Sequence, residues 1–387
     1  MKNWESVKLG DLYEVHNGLS KGGKFFGSGY PFLTFSTVFN NYFLPEELTD
    51  FVQSTEKERE SYSILRGDVF VTRTSETSDE LGMSCVALKD YPNATYNGFT
   101  KRMRPITDRV LPEYIGYYMR MPSFRGEFQA FSTMTTRASL KNEDLLSLEV
   151  KLPELDEQKK IAGILSTYDA LILNNQKQIK LLEEAAQRLY KEWFVDQRFL
   201  GYEGTEIVDG IPEGWKEQPI DDVFSIKYGK TLPTSKISSM GKYPVYGANG
   251  IIGYYSEKNC DDYKVLITSR GNGSGDVLRT YDKESFVTNN SFVVTPVDED
   301  MPFVFIHQIM KATDFKTICT GSAQPQLTNN SISTLRMVMP TKTIIGQFGE
   351  MAAPMYKKIE SINYQIRCLS EARDRLLPKL MSGEIEL

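Results

Sequence analysis

Cysteine and histidine are scarce in this 387-residue chain, at four and two residues. Cys85, Cys260, Cys319 and Cys368 stand far apart, and no pair has metal-ligand spacing. That argues against a disulfide framework or a zinc ribbon and leaves reduced thiols in a cytoplasmic protein as the expectation. No apolar run approaches the length of a membrane span, and the opening Met1-Lys-Asn-Trp-Glu5 has no apolar signal core. Catalytic signatures are missing as well. There is no Gly-x-x-x-x-Gly-Lys-Ser/Thr phosphate loop, and the acidic residues do not cluster with a lysine as in a metal-dependent nuclease. The Gly271-Asn-Gly-Ser-Gly275 cluster follows Arg270 and opens no helix, so it reads as a ligand-contacting loop rather than a dinucleotide or methyl-donor site. His16 and His307 fit packing or surface roles. No catalytic, cofactor-binding or metal residues are assigned. The residues describe a binder.

An excess of positive charge is also lacking, since the formal net charge is −6. Distribution matters more than the sum. From Lys101 to Lys141, eight Lys and Arg stand against three Asp and Glu; from Lys227 to Lys283, nine stand against five. Such stretches are solvated surface as readily as they are phosphate contacts. What is present otherwise is the composition of a folded protein, 40% hydrophobic and 12% aromatic, in a chain too long for one core.

Proline is absent from Glu154 to Ile211, and within that window lies the longest regular pattern. Ile161, Leu165, Tyr168, Ile172, Asn175, Ile179, Leu182, Ala186, Leu189 and Trp193 follow one another at alternating steps of four and three. This is a coiled-coil seam, and about 34 helical residues at about 1.5 Å each make a rod about 50 Å long. Such a rod needs a partner helix.

The partner comes from an internal duplication. Trp4 to Gly18 aligns without gaps onto Trp215 to Gly229, matching Trp, Asp11/Asp222, Leu12/Val223, Val15/Ile226 and the closing Gly. Leu65 to Arg73 resembles Tyr263 to Arg270, a β-branched run ending in Thr or Ser and then Arg. Tyr96 to Pro105 parallels Val287 to Pro296, and Leu111 to Met119 parallels Met301 to Ile309, with Pro at the first turn of a short helix. Leu140 to Pro153 matches Leu327 to Pro340, and the same spacing carried through the rod gives Phe348, Ala352, Met355, Ile359, Ile362, Ile366, Leu369, Arg373, Leu376 and Leu380. All but Arg373 are apolar. The expected fold is α+β: two similar recognition domains, each a mixed twisted sheet plus helices, joined by two long helices in an antiparallel coiled coil with pseudo-twofold duplication. The expected boundaries are 1–153 for the first domain, 154–196 for the central helix, 197–214 for a Gly-rich linker, 215–340 for the second domain and 341–387 for the C-terminal helix.

Two similar lobes on a rigid spacer suit a two-part target. Reading DNA takes side chains that pair with base edges and cations that meet phosphates. Loops after the strands supply Arg73, Thr74, Ser75, Lys101, Arg102 and Arg137 in the first lobe. In the second they supply Lys230, Ser269, Arg270, Asn272, Asn289, Asn290, Gln324 and Gln326. Each alone is an ordinary loop residue; recurrence at equivalent points makes them candidates. A protein-binding scaffold with a coiled-coil spacer is the rival reading, and a free-standing nuclease or methyltransferase would need a motif that is missing.

Several segments resemble the specificity subunits of type I restriction-modification systems. Leu152-Pro-Glu-Leu-Asp-Glu-Gln-Lys-Lys-Ile-Ala-Gly-Ile-Leu165 is similar to the opening of that family's central helix, and Gln187-Arg-Leu-Tyr-Lys-Glu-Trp-Phe-Val-Asp196 to its end. Ile211-Pro-Glu-Gly-Trp215 resembles the entry to the second domain, and Arg375-Leu-Leu-Pro-Lys-Leu-Met-Ser-Gly-Glu-Ile385 the usual ending. Thr341-Lys-Thr-Ile-Ile-Gly346 departs from the pattern, lacking the Glu-Gln opening of the first helix. The resemblance implies a non-catalytic, cytoplasmic subunit of a phage-defence system. Two target-recognition domains would each read one half of a bipartite double-stranded DNA sequence, and the paired helices would set the unread gap. It further implies docking of two methyltransferase subunits, which hold S-adenosylmethionine and flip out an adenine. Restriction subunits using ATP and Mg would join them; no cofactor belongs to this chain. One turn of B-DNA advances about 34 to 36 Å, so a rod of the expected length suits half-sites one to two turns apart.

Overall fold

Val69–Thr72 and Val265–Thr268 are short runs in which every residue is buried, so each needs a sheet neighbour on both sides. In the computed structural model, which describes residues 4–75, 81–131, 138–321 and 324–387, both have them. Val69–Thr72 lies third in an antiparallel sheet of order Tyr13–Asn17, Thr100–Pro105, Val69–Thr72, Ser84–Val86. Val265–Thr268 lies third in the order Phe224–Tyr228, Ser291–Pro296, Val265–Thr268, Val277–Arg279. These sheets belong to two units, Met1–Ile172 with Arg367–Leu387, and Leu173–Ile366.

Register makes the duplication concrete. Tyr13 faces Pro105 and Phe224 faces Pro296; Val69 faces Met103 and Val265 faces Val294; Thr72 faces Thr100 and Thr268 faces Ser291. A smaller sheet in each unit contains one parallel pair, Phe32 and Leu33 beside Thr95 and Tyr96, or Val245 and Tyr246 beside Phe286 and Val287. Glu5–Lys8 pairs with Glu149–Leu152, as Lys216–Pro219 does with Arg336–Met339. The short helices of the Leu111 and Met301 repeat are Pro112–Tyr118, with Pro in the first turn, and Phe303–Ala312, with Pro302 one step earlier at the N-cap.

The same register corrects one alignment. Composition pairs Arg73 with Arg270, but Val69 corresponds to Val265, which makes Arg73 the counterpart of Ser269 and Arg270 the counterpart of Thr74.

The closing glycines of the Trp-to-Gly repeat have a steric cause. A Cβ on Gly18 would stand 2.1 Å from the Asn97 carbonyl oxygen, and one on Gly229 would stand 2.4 Å from those of Val287 and Thr288. Only glycine lets these backbones approach so closely.

The long helices are Leu155–Tyr190, continued by a π turn at Lys191–Val195, and Lys342–Met381. Within the first unit, Ile161 and Leu165 join the core with Leu377 and Leu380, and Asp169 meets Arg373 at 2.6 Å. Within the second, Asn175 meets Gln365, and Tyr190 packs against Phe348. Rising numbers on one helix meet falling numbers on the other, so the pairing is antiparallel in each unit. Every seam position of the central helix is buried or half-buried, while Asn174, Lys177, Lys180 and Arg188 are exposed.

Three seam irregularities have local explanations. Arg373, the one polar position in the second seam, also lies over the Tyr42 ring, while Asp169 accepts from the Tyr117 hydroxyl. Gln158 of the Glu-Gln opening is fully buried and hydrogen-bonded, accepting from Leu111 N–H and donating to the Arg109 and Pro153 carbonyls. Its counterpart in the departing segment is Ile345, which fills the position with apolar surface. Asn175 is 9% exposed, and its Nδ2 donates to Gln365 Oε1 over 3.4 Å. A polar seam residue fixes register at a cost in stability. Asn175→Leu is therefore expected to raise the Tm by about 2–4 °C; a lower Tm in a calorimetric scan would give Asn175 a different task.

Among the described residues, no helix is long and apolar enough to cross a membrane. The four cysteines are unpaired; burial pushes the Cys85 thiol up to about 12. His307 is buried with Nδ1 against the Tyr356 hydroxyl at 2.5 Å, and burial holds its pKa well below the ordinary value, so the ring is neutral.

Candidate nucleic-acid interface

In the second unit, backbone hydrogen bonds tie separate loops into one rim. Asn289 N–H donates to the Lys230 carbonyl at 3.2 Å, Ser269 N–H to Asn290 at 2.9 Å, Leu327 N–H to Ser269 at 2.9 Å, and Gly271 N–H to Pro325 at 3.1 Å. A β-bridge joins Arg270 to Gln326. The Gly271–Gly275 turn is held by Ser274 Oγ, which donates to the Pro325 carbonyl at 2.9 Å. These links bring together all eight second-lobe candidates. Lys230, Arg270, Asn272, Asn290 and Gln324 are exposed there, and Asn289 and Gln326 are half-buried. Ser269 is a correction: its side chain is buried and its hydroxyl turns to the Asn289 carbonyl at 3.4 Å, so it holds the rim instead of facing a ligand.

The first unit builds the same rim with different side chains. Leu19 bridges to Asn97, Arg73 N–H donates to Phe99, and Leu140 N–H donates to Arg73, the last two at 3.0 Å. Thr74 and Ser75 form a two-residue strand paired with Ser139 and Ala138. Arg137 lies outside the described residues. Arg73 is half-buried at the rim. Lys101 is nearby but 5% exposed, and burial lowers its pKa, with Arg73 lowering it further against Asp144.

Arg102 is a second correction. It is 3% exposed, donates to the Ser63 carbonyl at 2.8 Å and lies over the Tyr96 ring. Its neighbours in the basic stretch are also spent within the fold. Arg104 grips Asp68 through two nitrogens, at 2.8 and 2.6 Å, and Arg109 pairs with Glu5. Arg120 donates to the carbonyls of Val38, Phe39, Asn41 and Ser84. Burial lowers the Arg120 pKa to about 10, which leaves it charged. The charge excess between Lys101 and Lys141 is thus largely structural.

Sequence reasoning missed Asn17, Lys141 and Asn142, which line a cavity with Arg73 and Lys101. The signal available was positional: Asn17 precedes the closing Gly18, and Asn142 follows Leu140 just as Asn329 follows Leu327.

A family model described as Type I restriction modification DNA specificity domain matches residues 1–184 and 212–361, one match on each half. The chain belongs to the type I restriction-modification DNA specificity family. Among its relatives, the type I restriction enzyme MjaIX specificity subunit of Methanocaldococcus jannaschii is 26% identical over all of this chain and 94% of its own. The type I restriction enzyme HindI specificity subunit of Haemophilus influenzae is 23% identical, with both chains fully covered. The crystal structure of a type I restriction-modification S subunit from M. genitalium is similar in fold, with a TM-score of 0.52 at 18% identity over 98% of this chain and 96% of that one. The duplicated α+β fold with its long helices is thus the fold of a specificity subunit.

Proposed function

We propose that this chain is the DNA-reading, non-catalytic subunit of a type I restriction-modification complex. Each lobe reads one half of a bipartite target, 1–153 and 215–340 serving as the recognition domains with 197–214 as the entry to the second. The observation that carries this reading is the rim made twice by one hydrogen-bonding scheme, furnished with different polar and cationic side chains. One frame with two side-chain sets is what two unlike half-sites require.

The paired helices, 154–196 and 341–387, set the gap between half-sites and dock two methyltransferase subunits. Leu171, Leu173 and Leu181 on the central helix, and Met351 and Tyr364 on the C-terminal helix, are each more than 45% exposed. Exposed apolar side chains of this kind suit a protein partner. S-adenosylmethionine belongs to the methyltransferase subunits, and ATP and Mg to restriction subunits, all acting in the cytoplasm. Much of the phosphate neutralisation falls to those partners, which reconciles DNA binding with a net charge of −6.

That acidity favours the rival, a protein-binding scaffold. Co-expression with the methyltransferase subunits decides between them. The assembled complex is expected to bind duplex DNA with steep salt dependence and to methylate adenine in one bipartite sequence. A chain that leaves the choice of target unchanged is a scaffold.

A further inference from the structure

The first lobe contains a cationic cavity beside its rim. It has a volume of about 550 Å3 and is lined by Asn17, Arg73, Lys101, Lys141, Asn142 and Glu143, among others. Lys101 is its floor: 5% exposed, its ammonium donating to Asn142 Oδ1. Among the described residues, neither Lys101, Arg73 nor Lys141 forms an ion pair. A largely buried lysine beside a guanidinium, whose ammonium has an amide oxygen as its hydrogen-bond partner and Asp144 as a nearby counter-charge, is costly unless a further anion completes the site.

At equivalent register the second lobe differs. The cross-strand pair Asn17 and Lys101 becomes Tyr228 and Phe292, whose tilted rings pack with centroids 4.1 Å apart, and Arg73 becomes Ser269. The backbone frame is shared, but the charge is not.

We propose that Lys101 and Arg73 together hold one phosphodiester of the DNA backbone, in the first lobe only. This rests on the DNA-reading function proposed above and adds a division of labour. Lys101 and Arg73 fix the position of the duplex, and other rim residues read bases. The charge balance selects the anion. Three cations stand against Glu143 in the lining and Asp144 beside Lys101, so one positive charge remains, which matches a diester better than the dianion of free phosphate.

The test uses the chain assembled with its methyltransferase subunits and a duplex carrying its target. Lys101→Met is expected to weaken binding about tenfold for target and non-target DNA alike, and to lower the slope of log affinity against log salt by about 0.9. Arg73→Met should do the same. Because both cations serve one phosphate, the double variant should lose no more slope than either single one. Lys101→Arg should keep the slope, and methylation profiling should find the target unchanged in every variant. An unchanged slope in Lys101→Met, two full steps lost in the double variant, or a changed target sequence would each overturn the proposal. Competition by inorganic phosphate at constant ionic strength, abolished by Lys101→Met, would assign the cavity to free phosphate instead. If the wild-type complex itself bound DNA without salt dependence, the DNA-reading function would fall with it.

Discussion

Arg104→Met is expected to lower the unfolding free energy of the first unit by about 3–5 kcal/mol, the usual cost of removing one partner from a buried ion pair. Asp68 is fully buried, and both its oxygens accept from the Arg104 guanidinium. Its Oδ2 also accepts from Leu65 N–H at 2.7 Å. Without Arg104 the carboxylate keeps one backbone donor and no counter-charge. The effect is local to the sheet in which Thr100–Pro105 is flanked by Tyr13–Asn17 and Val69–Thr72. Trp4 reports on that unit, while Trp193 and Trp215 belong to the other. Hydrogen exchange resolved by unit is therefore the cleanest measurement, with protection falling in the first unit and holding in the second. Adding Asp68→Asn should recover part of the loss, because the orphaned charge, rather than the missing contact, is the main cost. Equal destabilisation in both units, or none, would contradict the assignment.

Arg270→Ala is expected to have the opposite profile. Arg270 is exposed at the second rim, bridged through its backbone to Gln326, and makes no ion pair among the described residues. Truncation should leave stability unchanged. A guanidinium that pairs with a guanine edge contributes about 1–3 kcal/mol of discrimination, so methylation of the target should fall about ten- to a hundredfold while binding to non-target DNA hardly changes. Only the half-site read by the second lobe should relax. A uniform loss across sequences, with a shallower salt slope, would make Arg270 a phosphate contact. The two arginines sit in similar basic stretches, yet one holds the fold and the other lies exposed at the rim.

That contrast marks what the sequence makes legible. The heptad seam and the duplication are readable because they repeat: Trp4 and Trp215, Gly18 and Gly229, and the apolar steps of both helices recur at fixed spacing. The polar seam position Arg373 is readable only as an exception, and Gln158 only as part of the helix opening, since both owe their places to partners distant in sequence. Strand Thr100–Pro105 is buried from Thr100 to Met103, so its lysine and arginine break the polar-out alternation by which exposure is inferred. Lys101 and Arg102 therefore look like surface cations until the sheet is assembled. The Arg73–Arg270 pairing fails for a related reason. Loops of different length follow the two strands, and composition alone cannot choose between registers one residue apart. What survives is the location of the rim, because loops after buried strands are where polar side chains gather.

The central claim is that each lobe reads one half of the target independently. Its most direct test is methylation profiling of a chimaera in which residues up to Leu140 are exchanged for those of a relative with a different specificity, assembled with the same methyltransferase subunits. The expected methylome shows one half-site replaced, with the other half-site and the gap unchanged. A chimaera that folds and methylates but alters both half-sites, or neither, would contradict it.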